Sequence, residues 1–330
     1  MEKAFRYDMQ TAVVQTNKGL VHGYEYDGVV VFKGIPYAKA RRFHDPEPVE
    51  PWDGILETVG AGNICPNMEG EMLANDLGGA HRIGVQNENC QNLNVWTPAC
   101  DQGKRPVMVW LHGGAFTMGS SLENVSYEGH SASKYGQIVF VSINHRLNIL
   151  GYCDLSEFGE EYANSGNAGT SDMVAALQWV HDNIASFGGD PENVTIFGQS
   201  GGGMKVTALI QTPAADGRFP QRVDHERRAG WSTVHCVGSG RKMGEMLLEK
   251  AGVSSVKRAG KPCPIPSWQK RFKRCAPAAP PKDQQRGNAV PEWVLRRRSP
   301  GSPLPQGDGP HPTAHRFHLQ RIQRVWAEGL

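Results

Sequence analysis

VTIFGQSGGG, residues 194–203, is the stretch whose reading decides the fold. Its first four residues are β-branched or aromatic and read as a strand, while residues 204–211 carry the apolar spacing of a helix. Between them, Gly198-Gln199-Ser200-Gly201-Gly202 has the form G-x-S-x-G. A chain passing from strand to helix in so few residues must bend sharply, and the bend holds Ser200 in a strained backbone conformation. Glycine is needed at 198 and 202, where strand and helix approach too closely for a Cβ. The bend lifts the Ser200 hydroxyl to the carboxyl end of the strand, at a helix N-terminus whose dipole and N–H groups favour developing negative charge. Ser200 is the candidate nucleophile and Gly201 a candidate oxyanion donor. Alone the pattern is weak, because glycine-rich turns with a serine are common.

The neighbouring sequence supports it. Residues 107–111 form a second apolar strand that runs into His112-Gly113-Gly114-Ala115-Phe116. Backbone N–H groups of Gly113 and Gly114 in such a loop can complete an oxyanion site. Further strands read at 29–32, 93–96 and 138–143, each bounded by Gly, Pro or Asn. A helical stretch, 172–186, places Met173, Ala176, Leu177, Val180 and Ile184 on one face and crosses over between parallel strands. This alternation predicts an α/β fold, a mostly parallel sheet with helices on both faces. Arg146 and Asp172 read as a buried polar network beside the bend, and His112 as a residue whose ring shapes its loop. Trp52, Trp96, Trp110 and Trp179 fit core or pocket walls, which periodicity does not separate.

Charge divides the 330-residue chain near position 217. Residues 1–217 hold 13 Lys and Arg against 25 Asp and Glu, and residues 218–330 hold 22 against 8 together with 13 of the 22 prolines. The first part is expected to be the folded unit. The second, basic and Pro/Arg-rich, buries too little apolar surface to offset ordering and is expected to be poorly ordered. One helix is expected within it, over 240–256, with Met243, Met246, Leu247 and Ala251 on one face. No run of 18 apolar residues spans a bilayer, and the first twenty residues lack a secretory pattern, so a cytoplasmic protein is expected. Seven cysteines without a Cys-x-x-Cys pair argue against a metal knuckle and a dense disulfide scaffold; Cys65 and Cys90 could form a bridge or remain two thiols.

Several motifs together resemble the type B carboxylesterase family, relatives of para-nitrobenzyl esterase and the cholinesterases. They are FKGIPYA (32–38), EPWDG (50–54), NLNVWTP (92–98), PVMVWLHGGAFTMGS (106–120), SINHRLNILG (142–151), GNAGTSD (166–172) and FGGDPENVTIFGQSGGG (187–203). The likeness covers roughly residues 15–217. It implies an α/β-hydrolase fold, truncated at its C-terminal side because the family's chain is longer. It also implies hydrolysis of small carboxylic esters through an acyl-enzyme on Ser200, with Gly113, Gly114 and Gly201 as oxyanion donors and no metal or organic cofactor. Three positions depart from the family pattern. Gln199 stands where an acid is usual, Gly201 where alanine is usual, and Asn148 where glycine is usual.

A serine needs a histidine base held by a carboxylate, and in this fold both follow the serine in the order Ser, acid, His. The histidines after Ser200 are His225, His235, His311, His315 and His318; the acids include Asp224, Glu245, Glu249, Glu292 and Asp308. None lies in a family-like context, so the acid and base stay unassigned. Family-like text ends near residue 219, resumes over 240–256 and stops again, the pattern two compensating frame slips would leave. Three readings follow: a serine esterase, a catalytically inactive fragment of one lacking acid and histidine, and anion or nucleic-acid binding by the basic tail. The third is the weakest, since Arg296, Arg297 and Arg298 lack an aromatic stacking pattern beside them. The oligomeric state is left open.

Overall fold

Alternation along Arg105–Leu111 (β10) sorts the core into two layers. Val107, Val109 and Leu111 face one side of the sheet and Met108 and Trp110 the other, and all five are buried. A strand covered on both faces reads as a continuous apolar run, which is why the sequence located it. The computed structural model of the chain describes residues 4–8, 10–67, 82, 84–219, 221–225, 246, 248 and 249.

Eight described strands form the main sheet. They are Phe5–Arg6 (β1), Tyr24–Tyr26 (β4), Val29–Pro36 (β5), Asn92–Thr97 (β9), β10, Val139–Ile143 (β11), Gly189–Gln199 (β12) and Gln221–His225 (β13), in the order β1-β4-β5-β9-β11-β10-β12-β13. β11, β10, β12 and β13 are mutually parallel. From β1 to β11 each neighbouring pair is antiparallel. The sheet is therefore mixed: the parallel arrangement read from the sequence is the half that ends at Ser200. Its antiparallel half follows from the hairpin between β4 and β5, where Asp27 and Gly28 take φ of 49° and 76°. Two left-handed residues make the tight turn whose twist suits paired strands. A small sheet of Val13–Gln15 (β2), Leu20–His22 (β3) and Ile55–Glu57 (β8), and a ribbon of Lys39–Ala40 (β6) with Pro46–Glu47 (β7), flank the main one.

Four helices complete the described core: His130–Gly136 (α1), Asn148–Tyr152 (α2), Ala168–Asn183 (α3) and Gly201–Ile210 (α4). Met173, Ala176, Leu177 and Val180 of α3, with Val206 and Leu209 of α4, pack on the Val107–Val109 face. Ala132 of α1, with Tyr127 and Ile138, covers Met108, Trp110, Phe140 and Phe197 on the opposite face. Helices thus lie on both faces, as expected. Each fully buried aliphatic such as Leu177 contributes about 1.5–3 kcal/mol. α3 begins four residues before the periodic stretch and ends in a 3₁₀ turn, Ile184–Phe187, closed by Gly188 at φ 77°. Trp96, Trp110 and Trp179 are core residues, and the half-buried Trp52 donates its indole N–H to the Leu20 carbonyl.

The polar network expected at Arg146 and Asp172 is present and buried. Arg146 Nε and Nη2 grip the Asp172 carboxylate at 2.8 and 2.7 Å, and the Arg146 backbone N–H adds a third bond at 3.0 Å. Arg146 Nη1 reaches the Arg41 and His44 carbonyls, so the pair ties the loop after β6 to α3. Cys65 and Cys90 are both buried and free, packed with Leu147 and Leu150. Their mutual hydrogen bond, then burial, holds the Cys90 thiol well above its ordinary range.

Most of residues 218–330 lies outside the described residues, including the Arg-rich segment and the expectation of poor order. Met246, Leu248 and Glu249 of the expected 240–256 helix are helical. Met246, expected on the apolar face, is exposed, and Leu248 is buried with Phe43, Cys153, Leu155 and Tyr162; Met243, Leu247 and Ala251 lie outside the described residues.

Candidate active site

The bend lies where β12 gives way to α4. Ser200 is exposed and takes φ 54° and ψ −119°, a region costly for a residue with a Cβ. Close packing enforces the conformation. A Cβ on Gly202 would lie 2.1 Å from the Leu111 carbonyl oxygen at the end of β10, and one on Gly198 would lie 2.6 Å from the same oxygen. The glycine requirement at 198 and 202 is thus a contact between backbones. Helix α4 starts at Gly201, three residues earlier than the apolar spacing indicated, so Gly201–Gly203 form its first turn. Its first helical bond runs from the Met204 N–H to the Ser200 carbonyl at 3.2 Å. The preceding N–H groups remain at the open end, as helix geometry requires.

The loop after β10 lies directly over this turn. A Cβ on Gly113 would sit 3.5 Å from the Gln199 carbonyl, and one on Gly201 only 2.1 Å from the Ala115 nitrogen. Gly114 and Ala115 take φ of 80° and 52°, curling the loop so that Thr117 and Met118 N–H groups return to the Gly114 carbonyl. Gly113, Gly114 and Gly201 are therefore brought together beside Ser200. Among the described residues, no hydrogen-bond acceptor is paired with the N–H of any of the three. The glycine at 201, a departure from the usual alanine, matches the loop's close approach.

The second departure also has a local cause. Asn148 sits at φ 51°, which asparagine tolerates better than most residues after glycine. Its N–H donates to the Phe116 carbonyl and its side-chain amide to the Pro66 carbonyl, both at 2.8 Å. The far end of the glycine loop is anchored by these bonds.

Beneath the loop lies a residue that the sequence reading missed. Lys205, fully buried on α4, donates from Nζ to the His112 carbonyl at 2.8 Å and to the Gly113 carbonyl at 3.3 Å. Burial lowers its pKa to about 7, opposed by Glu123. His112 is buried, with Nδ1 2.9 Å from the Gly113 carbonyl, so its ring does satisfy backbone as expected. The His145 ring lies tilted beside it, 5.0 Å between ring centroids. Burial first, then the Lys205 charge, pushes both imidazoles well below their ordinary range. One signal pointed to Lys205: it is the single cation in residues 201–210, and it shares a helix face with Gly201 and Leu209.

Of the acids and histidines after Ser200, Asp224 and His225 fall on β13, whose register sets them beside Gly198 and Gln199. Glu249 is described and exposed. His235, His311, His315, His318, Glu245, Glu292 and Asp308 lie outside the described residues.

The sheet, the strand-to-helix bend and the glycine loop above it define an α/β-hydrolase. A model of the carboxylesterase family matches residues 10–226, and the chain belongs to that family. Para-nitrobenzyl esterase of Bacillus subtilis is 42% identical over 219 residues, 65% of this chain and 43% of that protein. A solved esterase of Clostridium hathewayi superposes with a TM-score of 0.77 at 47% identity, covering 83% of this chain and 55% of its own. A carboxylesterase of Geobacillus stearothermophilus gives 0.72 at 38% identity, covering 81% and 54%. The chain spans less than half the length of the curated relatives it matches.

Proposed function

We propose that the chain is a serine carboxylic-ester hydrolase acting through an acyl-enzyme on Ser200. The Ser200 oxygen bonds to the ester carbonyl carbon while the carbonyl oxygen takes negative charge. The N–H groups of Gly113, Gly114 and Gly201 receive that charge, each such donor worth about 3–4 kcal/mol in the transition state. Collapse breaks the ester C–O bond; the alcohol leaves with the proton given up by serine, and water then releases the acid. The observation that carries the reading is Ser200 itself, an exposed hydroxyl on a positive-φ residue beneath three amides that no acceptor among the described residues pairs.

In this fold the proton acceptor follows the serine in sequence, and it stays unassigned; His225, on β13 beside Gln199, is the histidine there that falls on a described strand. Short acyl and aryl esters are the proposed substrates, in keeping with the name of the para-nitrobenzyl esterase relative. The test is turnover of para-nitrophenyl acetate. Wild-type turnover that disappears in Ser200→Ala supports the proposal, and turnover that survives the substitution refutes it. An inactive carboxylesterase core is the second reading. It predicts a folded wild type with no turnover at all.

A further inference from the structure

We propose that Lys205 is a positioning residue of the oxyanion loop, holding and polarising the two peptide groups whose N–H donors face the reacting carbonyl oxygen. The inference rests on the reading of Ser200 and the loop glycines given above.

The geometry is that of the peptide bond. In a trans peptide the C=O and N–H point in opposite directions. The His112 carbonyl belongs to the same plane as the Gly113 N–H, and the Gly113 carbonyl to the same plane as the Gly114 N–H. Lys205 Nζ grips both carbonyls, at 2.8 and 3.3 Å. A single buried amino group thus fixes both planes from behind and directs both N–H groups away from α4's interior. His112 Nδ1, 2.9 Å from the Gly113 carbonyl, adds a second hold on the second plane.

Chemistry favours a lysine for this task. Charged below about pH 7 and neutral above it, the amino group donates to both carbonyls in either state, and a carbonyl that accepts draws electron density along its amide and makes the N–H a stronger donor. The site is dry: Lys205, His112 and His145 are each at most 1% exposed, so the effect is not screened by bulk water. The groups facing Lys205 come from three places. His112 lies at the end of β10, His145 after β11, and Glu123 in the loop whose Gly119 sits between its carboxylate and the His112 ring. With both imidazoles held neutral, Glu123 is the one opposing charge named among them. Lys205 lies four positions after Gly201, so one turn of the same helix carries the third N–H donor and the clamp on the other two.

The test compares the full chain with Lys205→Met, which removes donor and charge at similar volume, and Lys205→Gln, which keeps a donor without charge. Circular dichroism establishes folding, and para-nitrophenyl acetate kinetics are read with Ser200→Ala as control. The expected result is a fall in kcat of about 100-fold for Met, KM within about threefold, and an intermediate kcat for Gln. Affinity for a phenylboronic acid, which forms a tetrahedral adduct on serine, falls in step with kcat/KM. A folded Met variant with wild-type kcat, or one that loses only KM, overturns the proposal. Should Met not fold, Gln decides: kcat about tenfold down at constant KM supports it, and wild-type kcat overturns it. Absence of Ser200-dependent turnover in wild type refutes the catalytic reading alone. In that event hydrogen exchange over residues 112–118 decides the clamp, faster exchange in Lys205→Met or Lys205→Gln supporting it and unchanged exchange overturning it.

Discussion

Gly202→Ala is the substitution that bears hardest on the bend. The added Cβ would stand 2.1 Å from the Leu111 carbonyl oxygen, where ordinary contact begins near 3.4 Å. Helix α4 and strand β10 would have to part by about 1.3 Å, and no rotamer relieves a clash between a Cβ and a backbone oxygen. Overpacking of this kind costs about 3 kcal/mol, and alanine's better helix propensity returns about 1, leaving a net loss of about 2 kcal/mol. Urea denaturation followed by fluorescence reads this directly; with a slope near 2 kcal/mol per molar, the midpoint falls by about 1 M. Gly60→Ala is the control, because nothing lies within 4 Å of its Cβ position. Reaction at Ser200 should fall as well, since its conformation depends on that contact. A Gly202→Ala protein within about 0.5 kcal/mol of wild type would refute the claim that backbone contact enforces the bend.

Four further outcomes follow from the same geometry. Ser200→Gly relieves the backbone strain at φ 54° and is expected to raise stability by about 1 kcal/mol while abolishing turnover, measured by urea melts and ester hydrolysis. Asp172→Ala leaves the Arg146 charge buried without its carboxylate and should cost about 3–5 kcal/mol in the same melts. Asn148→Ala, which forces alanine to φ 51°, should cost about 1–2 kcal/mol, whereas Asn148→Gly keeps the backbone and costs less. For Lys205 the folded pKa of about 7 lies below the ordinary 10.5, so the unfolded chain holds the extra proton between those values. Stability therefore rises with pH across that window, by up to about 1.4 kcal/mol per pH unit, and Lys205→Met should remove the rise.

What the sequence revealed depended on how locally each feature is encoded. The bend at 198–202 and the loop at 112–116 were readable because glycine spacing reports backbone contact, and the 2.1 Å and 2.6 Å approaches to Leu111 are those contacts. Parallel strands β10, β11 and β12 were readable because burial on both faces makes them continuous apolar runs. In the antiparallel half β5 and β9 were read as strands, but their antiparallel pairing and the outer strands were not: β1 and β4 are two and three residues long and carry no fully buried side chain. The Asp27-Gly28 pair was the local signal for that hairpin. Lys205 was missed because a lone lysine in an apolar helix reads as solvated, and only the packing of α4 beneath the loop shows it buried. Helix α4 began at Gly201 rather than 204 because packing on β10 overrides the low helix propensity of three glycines. The acid and histidine that would complete Ser200 had no family-like context to mark them.

The central claim is that one strained serine is presented to a cradle of main-chain amides. Treating the full chain with a fluorophosphonate and mapping the adduct by mass spectrometry tests it without knowledge of the substrate. The account predicts a single covalent adduct on the peptide containing Ser200, lost in Ser200→Ala. Folded protein with no adduct there, or with the adduct on another residue, would contradict it.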